Sequence, residues 1–245
     1  MRKTIVSFVI IIIAAAALVA LSFMKPAQGP DIQQGTTDVV TIPPTMKTID
    51  EDSYLFGITG AYPQFTQVDA AFNAQIADTI NKDLVNFKGM ANDNYQARLE
   101  TEGDTFQQQF ARNGGFTYDL KTEVVQSNSH FVSVIIRRDM YVGGAHGASA
   151  IFVFNYDVAA KKTLSITDFM TLKEASDVSR ASLRQILGEE TYNGFAIEGT
   201  DPSKPENFQA FTFTDKDVTI YFGDYQVAPY ASGEQRVVIS RDNKK

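Results

Sequence analysis

The chain opens with a long uncharged stretch that follows two positive residues. Residues 4–24 carry no charge, and these 21 residues can span a bilayer, because a spanning helix needs roughly 20 apolar residues. The positive charges before the run predict a cytoplasmic N-terminus and an exported remainder. Residues 1–25 are therefore predicted to be a transmembrane anchor. Cleavage as a signal sequence stays open, since Ala20-Leu21-Ser22 offers the small residues that a signal peptidase reads.

A stretch without sustained periodicity, residues 26–52, follows the anchor. Its prolines are interspersed with Gly, Gln and Thr, a composition that buries no core and is typical of semi-extended spacers. We predict a linker there. Beyond it, the pattern predicts two small subdomains, at 53–148 and 149–241.

Apolar residues recur every four positions in the first subdomain and predict its main helix. The helix is predicted to begin near Thr66 and to end at Gly89. A weaker helical pattern covers residues 91–112, with Gly103 interrupting it. The spacing of the main helix is carried by Val68, Phe72, Ile76, Ile80 and Leu84.

Alternating and β-branched runs predict strands around these helices. The first predicted strands cover residues 54–62, where Pro63 ends the pattern, 116–125, 130–141 and 150–158. Further along, a short strand at 164–169 leads into a helix over 172–190, a hairpin joins 208–214 to 218–222, and 235–240 is the last strand. The predicted fold class is α+β: a mostly antiparallel sheet with helices packed on it, behind an N-terminal transmembrane helix.

Composition narrows the classes of function. The chain has no cysteine, which excludes disulfides, thiol chemistry and a lipid anchor on cysteine. Its formal net charge is −7, and an acidic surface argues against nucleic acid as a partner. The acidic residues suit either a cationic partner or plain solubility.

Two motifs resemble a known family. Tyr-Val-Gly-Gly-Ala-His-Gly at 141–147 leads into Phe-Asn-Tyr-Asp at 154–157, and Tyr-Phe-Gly-Asp-Tyr-Gln-Val-Ala-Pro-Tyr-Ala-Ser-Gly occupies 221–233. They look like the signatures of the extracellular domain-of-unknown-function family that RsiV-like anti-sigma factors share with the non-catalytic region of PdaC-like peptidoglycan deacetylases. The resemblance covers residues 54–239.

The resemblance implies a sensing or binding module without an effector. RsiV-like proteins hold a sigma factor through a cytoplasmic segment and recognise lysozyme outside, but only three residues precede the predicted anchor, so we expect no sigma-factor segment. PdaC-like deacetylase domains bind metal through an Asp and a His-x-x-x-His pair. The two histidines of this chain are His130 and His146, and this spacing predicts that the catalytic domain is absent.

His146 is the first candidate for a functional residue. Gly143, Gly144 and Gly147 around it would let a ligand approach the backbone, and imidazole titrates near neutral pH. Alternatively, these glycines, with Gly233, serve as structural turn positions and His146 bonds its own loop. Both interpretations stay open.

Tyrosines of the two motifs are the second set of candidates. Tyr225 and Tyr230 stand beside proline and glycine in a predicted loop, and Tyr141 begins the first motif. A tyrosine offers a flat apolar face with a polar tip, which suits sugar rings or a protein partner. Core packing explains alternate members of the cluster equally well.

No catalytic or metal set emerges from the spacing. A serine hydrolase would place its nucleophile in Gly-x-Ser-x-Gly, and Ser149 is not in that setting. The aspartates at 215, 217 and 224 lack the glycine and glutamate of a calcium loop. We therefore predict neither a metal nor a cofactor.

These observations predict a single-pass membrane protein with an extracytoplasmic domain of the bacterial cell envelope. The domain is expected to bind a cell-wall glycan such as peptidoglycan, or an extracellular protein such as lysozyme, without catalysis. The alternative is a hydrolase or deacetylase-type enzyme that acts on wall polymers through His146.

Overall fold

A computed structural model describes residues 39–113 and 115–241. The predicted transmembrane segment and most of the predicted linker lie outside these residues. Among the helices that are described, none combines the length and apolar character needed to cross a membrane.

Six strands form the first sheet, in the same order as along the chain. All neighbours are antiparallel except β2 and β3, which are parallel because the long helix α1 (Ala70–Asn113) returns the chain between them. The strands are β1 (Thr45–Asp52), β2 (Phe56–Gln64), β3 (Phe116–Ser127), β4 (Phe131–Tyr141), β5 (Ala148–Asp157) and β6 (Lys162–Thr163).

The folded part begins earlier than the sequence pattern predicts. Residues 26–52 were expected to be a linker throughout, but β1 pairs with β2 over its whole length and Ile42 is buried. The prediction was wrong because β1 is an edge strand that is exposed on both faces, so it shows no alternation. Pro63 was expected to end the next strand and instead lies in β2, at a position where β1 is its one neighbour and proline is tolerated.

Helix α1 continues beyond Gly89, where the sequence pattern predicted that the first helix ends. A glycine in a helix interior costs ~1 kcal/mol relative to alanine. Here Phe87 and Ala91 on either side of Gly89 are fully buried, and their packing outweighs that cost. The interruption predicted at Gly103 is confirmed, since its φ of 58° and ψ of −143° kink the helix.

Strand β4 is buried on both faces at the centre of the sheet. Its alternate residues Val132, Val134 and Ile136 belong to the core under α1, whereas Phe131 belongs to the second core. Successive side chains of a strand point to opposite faces. The run of β-branched residues in β4 therefore reflects two packed faces.

A polar cluster fixes α1 and the base of the β4–β5 hairpin. The Arg138 guanidinium lies 3.2 Å from the Asp83 carboxylate of α1 and donates a 2.9 Å hydrogen bond to the Ala148 carbonyl. The Tyr118 hydroxyl donates to Asp83 at 2.8 Å. Burial, aided by this bond to a carboxylate, raises the pKa of Tyr118.

The second core is built on a three-stranded antiparallel sheet and one amphipathic helix. Helix α2 (Leu172–Leu187) begins at a capping box between Thr171 and Glu174. Residues 164–169, predicted as a strand, instead contain the 3-10 turn Ile166–Asp168. The strands are β7 (Phe211–Phe213), β8 (Asp217–Phe222) and β9 (Gln235–Ser240), and the shorter helical segments are Glu189–Thr191, Tyr192–Ala196, Ile197–Gly199, Pro205–Phe208 and Tyr230–Ser232.

The α+β class with an antiparallel-dominated sheet is confirmed. The two sheets do not divide at residue 148, because β5 and β6 extend the first sheet to Thr163. Asn155 of β5 also joins the sheets: its amide donates to the Phe211 carbonyl of β7 at 2.7 Å.

Candidate functional site

Three neighbouring strands of the first sheet bring charged residues to one face, and we call this surface the polar floor. The register aligns Lys121 of β3 with Arg137 of β4 and Ile151 of β5. In the next row Asp139 of β4 lies beside Ser149 of β5. Because neighbouring residues of a strand alternate between faces, this floor lies opposite the face that Arg138 presents to α1.

The charges of the floor are held in ion pairs. Arg137 forms a two-pronged pair with Glu234, with N–O distances of 2.8 and 2.9 Å, and lies over the Tyr221 ring. The hydrogen bonds to Glu234 raise the pKa of Arg137 against the opposing effect of burial. Lys121 lies 2.9 Å from the Asp139 carboxylate. The floor is thus fixed before any ligand arrives.

The connection between β8 and β9 lies beside this floor, and together they line an open cavity of about 520 Å³. Asp224 and Tyr230 from that connection line the cavity together with floor residues. The Ser149 hydroxyl donates to the Asp224 carboxylate at 2.5 Å. The cavity is therefore lined by residues of the second motif together with residues of β3, β4 and β5.

Three neighbouring rings form what we call the ring platform: His146, Tyr230 and Tyr225. Of these, Tyr230 lines the cavity. The His146 and Tyr230 rings are stacked, with centroids 4.1 Å apart. Tyr225 continues the row at 5.7 Å from Tyr230. Its backbone has φ of 65° and its side chain is 57% exposed, so the fold holds a large aromatic residue in a disfavoured conformation at the surface. Such conformations cluster at functional sites.

The four glycines that were predicted as turn positions are needed for two different reasons, a positive φ or a close contact with the backbone. Gly143, Gly144 and Gly233 have φ of 100°, 94° and 63°, which side-chain-bearing residues rarely adopt. A Cβ on Gly147 would lie 2.8 Å from the Met140 carbonyl oxygen. The loop that carries His146 therefore has a defined backbone shape.

The Tyr225 end of the platform is held by contacts of the neighbouring residue, Gln226. The Gln226 side chain, next to Tyr225, donates to the carbonyls of Gly199 and Asn207 at 3.2 and 3.0 Å. Gly199 packs so closely on Gln226 that a Cβ there would overlap the Gln226 carbonyl. These contacts hold the exposed tyrosine on a rigid base.

Tyr141, the remaining candidate, lies in a different place. Its hydroxyl donates to the Gly144 carbonyl at 3.1 Å. It lines a separate cavity of about 220 Å³ with Arg98, Phe106 and Phe110 of α1. The structure thus brings His146, Tyr225 and Tyr230 together and leaves Tyr141 outside the platform.

The surroundings of His146 favour a structural or stacking role for its ring. Within the described residues its one hydrogen bond joins Nδ1 to the Gly147 carbonyl at 2.8 Å, which makes Nδ1 the protonated nitrogen. One face of the ring is covered by Tyr230. Across the described chain, no group of three or more His, Cys, Asp or Glu side chains could hold a metal ion.

Sequence reasoning missed the charged residues of the cavity. Asp224 was considered with the aspartates at 215 and 217, but the structure separates it from them and places it against Ser149. Asp215 instead accepts from the Gln126 side chain. The sequence does contain one signal for these residues: Arg137 and Asp139 place two charges on one face of a strand that is mostly apolar.

Comparisons with known proteins match this architecture in two adjoining parts. Residues 49–149 match the family model described as Deacetylase PdaC, and residues 166–242 match the one described as Protein of unknown function (DUF3298). Both matches support the resemblance to the domain family that PdaC-like proteins share. The first match ends at residue 149, although the first sheet continues to Thr163.

A curated relative and two solved structures are similar to this chain. The peptidoglycan-N-acetylmuramic acid deacetylase PdaC of Bacillus subtilis is 30% identical over 151 residues, which are 60% of this chain and 32% of the relative. The chain thus spans about a third of the length of that relative. A DUF3298 protein from Bacteroides fragilis shares the fold, with 16% identity, a TM-score of 0.53 and coverage of 82% of this chain and 91% of the other. One from Pseudomonas aeruginosa aligns at 16% identity and a TM-score of 0.48, over 82% and 92% of the two chains.

Proposed function

We propose that this chain is a non-catalytic glycan-binding module of the bacterial cell envelope, tethered to the membrane through residues 4–24. The observation that supports it most is the ring platform, in which Tyr225 is held exposed in a disfavoured conformation beside the Tyr230–His146 stack. Through Tyr230 the platform adjoins a polar cavity in which four of the five charged side chains are paired.

The platform and cavity match the two requirements of sugar binding. The faces of a sugar ring carry C–H groups that pack on an aromatic face, whose own surface is apolar. The hydroxyl groups at the edge of the sugar need hydrogen-bond partners, and Ser149, Asp224 and Glu234 offer them in the cavity. The His146–Tyr230 stack covers one face of each of these two rings, so a sugar would pack on a remaining ring face, and Tyr225 is the exposed tyrosine of the platform.

The curated relative supports the choice of polymer. Its name describes a deacetylase of peptidoglycan N-acetylmuramic acid, and the match includes the segment named after PdaC in this chain. A module shared with such an enzyme is well suited to hold wall glycan. We therefore propose peptidoglycan as the ligand, with the domain on the extracytoplasmic side.

A co-sedimentation assay with insoluble peptidoglycan tests this proposal. The purified full-length chain is expected to sediment with the polymer, and the double variant Tyr225→Ala/Tyr230→Ala is expected to bind at least tenfold more weakly, equivalent to ~1.4 kcal/mol. Tyr54→Ala is the matched control, because Tyr54 is 77% exposed and lines neither cavity nor platform. Equal sedimentation of all three proteins would refute the ring platform as the binding surface.

A second candidate ligand is an extracellular protein such as lysozyme, as the family resemblance implies. Phe195 is partly exposed and lines a cavity of about 350 Å³ with Tyr225, so a further aromatic side chain lies near the platform for a protein partner to contact. The acidic net charge of −7 suits a cationic protein. Phe195→Ala distinguishes the ligands: it should weaken lysozyme binding and leave sedimentation with peptidoglycan unchanged.

The surroundings of His146 do not favour the enzyme alternative. A catalytic histidine acts with a nucleophile or carboxylate within hydrogen-bond reach, whereas within the described residues the one hydrogen bond of His146 is to the Gly147 carbonyl of its own loop. Stacking on Tyr230 gives the ring a binding role without proton transfer.

A further inference from the structure

Charge pairing in the 520 Å³ cavity is incomplete at one residue. Five charged side chains line it, and four of them are matched: Lys121 with Asp139, and Arg137 with Glu234. The fifth, Asp224, forms no ion pair with any residue in the described part of the chain. It accepts a hydrogen bond from the neutral Ser149 hydroxyl, so its negative charge is not compensated.

The two cations of the cavity are not free to receive an anionic ligand. Lys121 has a second carboxylate, that of Asp119, at 3.7 Å. Arg137 has a second carboxylate, that of Glu123, at 3.6 Å. An incoming phosphate or carboxylate would have to separate these pairs while it meets the charge of Asp224. The cavity therefore disfavours anionic polymers.

Asp224 and Tyr230 line the same cavity and together favour a cation. A carboxylate forms stronger hydrogen bonds with an ammonium group than with a hydroxyl group. The face of an aromatic ring also attracts a cation, by roughly 0.5–1 kcal/mol at exposed sites. A sugar stacked on the rings would therefore gain affinity if it carried a positive group.

Because Asp224 and Tyr230 line the same cavity, we propose that the cavity recognises a glycan unit with a free amino group. It would prefer this unit to the N-acetylated form and to anionic glycans. The inference rests on the proposed glycan-binding function and adds the chemical class of the preferred unit. Since N-acetylated sugars carry no such charge, the preferred ligand is the product of an N-deacetylation. The module would then bind wall glycan after acetyl groups have been removed.

Calorimetric titration of the full-length chain with three soluble probes tests this preference. The probes are the tetramers of glucosamine, of N-acetylglucosamine and of galacturonic acid, which are cationic, neutral and anionic. We expect the glucosamine tetramer to bind about tenfold more tightly than the neutral one, and the anionic one to bind weakest. Asp224→Asn should reduce the cationic preference to less than twofold, and Asp224→Glu should retain most of it.

The matched control is Asp78→Asn, which changes the net charge by the same amount at an exposed position of α1, on the opposite face of the sheet. It should leave the preference unchanged. Equal binding of the cationic and neutral tetramers, or an unchanged preference in Asp224→Asn, would overturn the inference and leave the glycan-binding proposal standing. Equal loss in Asp78→Asn would also overturn it, since total charge would then be the cause. If no tetramer binds and insoluble peptidoglycan does not bind either, both proposals fail.

Discussion

The buried amide of Asn155 should be one of the most sensitive single positions for stability. Asn155 is 2% exposed; its oxygen accepts from the Ser133 hydroxyl at 2.7 Å, and its nitrogen donates to the Phe211 carbonyl. The Ser133 oxygen accepts in turn from the Phe213 amide at 3.2 Å. These bonds join β4 and β5 of the first sheet to β7 of the second.

Asn155→Ala removes both hydrogen bonds of the side chain and leaves the cavity of an amide. The Phe211 carbonyl loses this donor and the Ser133 hydroxyl loses its acceptor, in surroundings that water does not reach. Each buried polar group left unsatisfied costs ~1–3 kcal/mol. We therefore expect a loss of ~2–5 kcal/mol in the free energy of unfolding.

Equilibrium urea denaturation of the full-length chain, followed by tyrosine fluorescence and circular dichroism, measures this loss. Asn92→Ala is the control, because Asn92 is exposed on α1 and should change stability by less than ~0.5 kcal/mol. The double variant Ser133→Ala/Asn155→Ala should lose less stability than the sum of the two single losses. It no longer contains the Ser133 hydroxyl that Asn155→Ala leaves without its acceptor. A loss below 1 kcal/mol in Asn155→Ala would refute the role of this amide as the link between the sheets.

Three further predictions concern the site and its supports. Gly199→Ala should weaken peptidoglycan binding and stability by ~1–3 kcal/mol, because the new methyl group would overlap the Gln226 carbonyl; normal sedimentation and thermal melting would argue against a rigid base. Burial alone would raise the pKa of Asp168, but hydrogen bonds from Lys162 and Ser165 lower it overall. The charged carboxylate therefore stabilises the fold above its unfolded pKa, and this stabilisation is lost as the pH falls through its folded pKa. Asp168→Asn should therefore lower stability at pH 7 by ~1 kcal/mol and flatten the acid limb of a melting-temperature profile; a parallel profile would contradict this. Muropeptide profiles of peptidoglycan treated with wild type and His146→Ala should be identical to the untreated sample, and any new product with wild type alone would establish an enzyme.

Local sequence patterns predicted the central and the last strand. The run of β-branched residues indicated β4, which is buried on both faces, and the last strand was predicted at 235–240, where β9 lies. β1 escaped detection because both of its faces are exposed. The end predicted for the first helix at Gly89 failed because tertiary packing of Phe87 and Ala91 outweighs a local preference.

The rings of the candidate site were named from the sequence, but their arrangement was not. The motifs pointed to His146, Tyr225 and Tyr230, and the stack arises only because the β4–β5 hairpin meets the connection between β8 and β9 in space. No local pattern encodes that meeting. Arg137 was not predicted, and Asp224 was considered only with the aspartates at 215 and 217, for the same reason: the contacts of both residues are with partners far away in the sequence.

Binding of peptidoglycan by the ring platform is the most direct test of this account. In co-sedimentation with the insoluble polymer, we predict that the full-length chain and Tyr54→Ala bind alike, whereas Tyr225→Ala/Tyr230→Ala loses at least tenfold in affinity. Retained binding in the double variant, with its fold intact by circular dichroism, would contradict the claim that the exposed rings recognise the wall glycan.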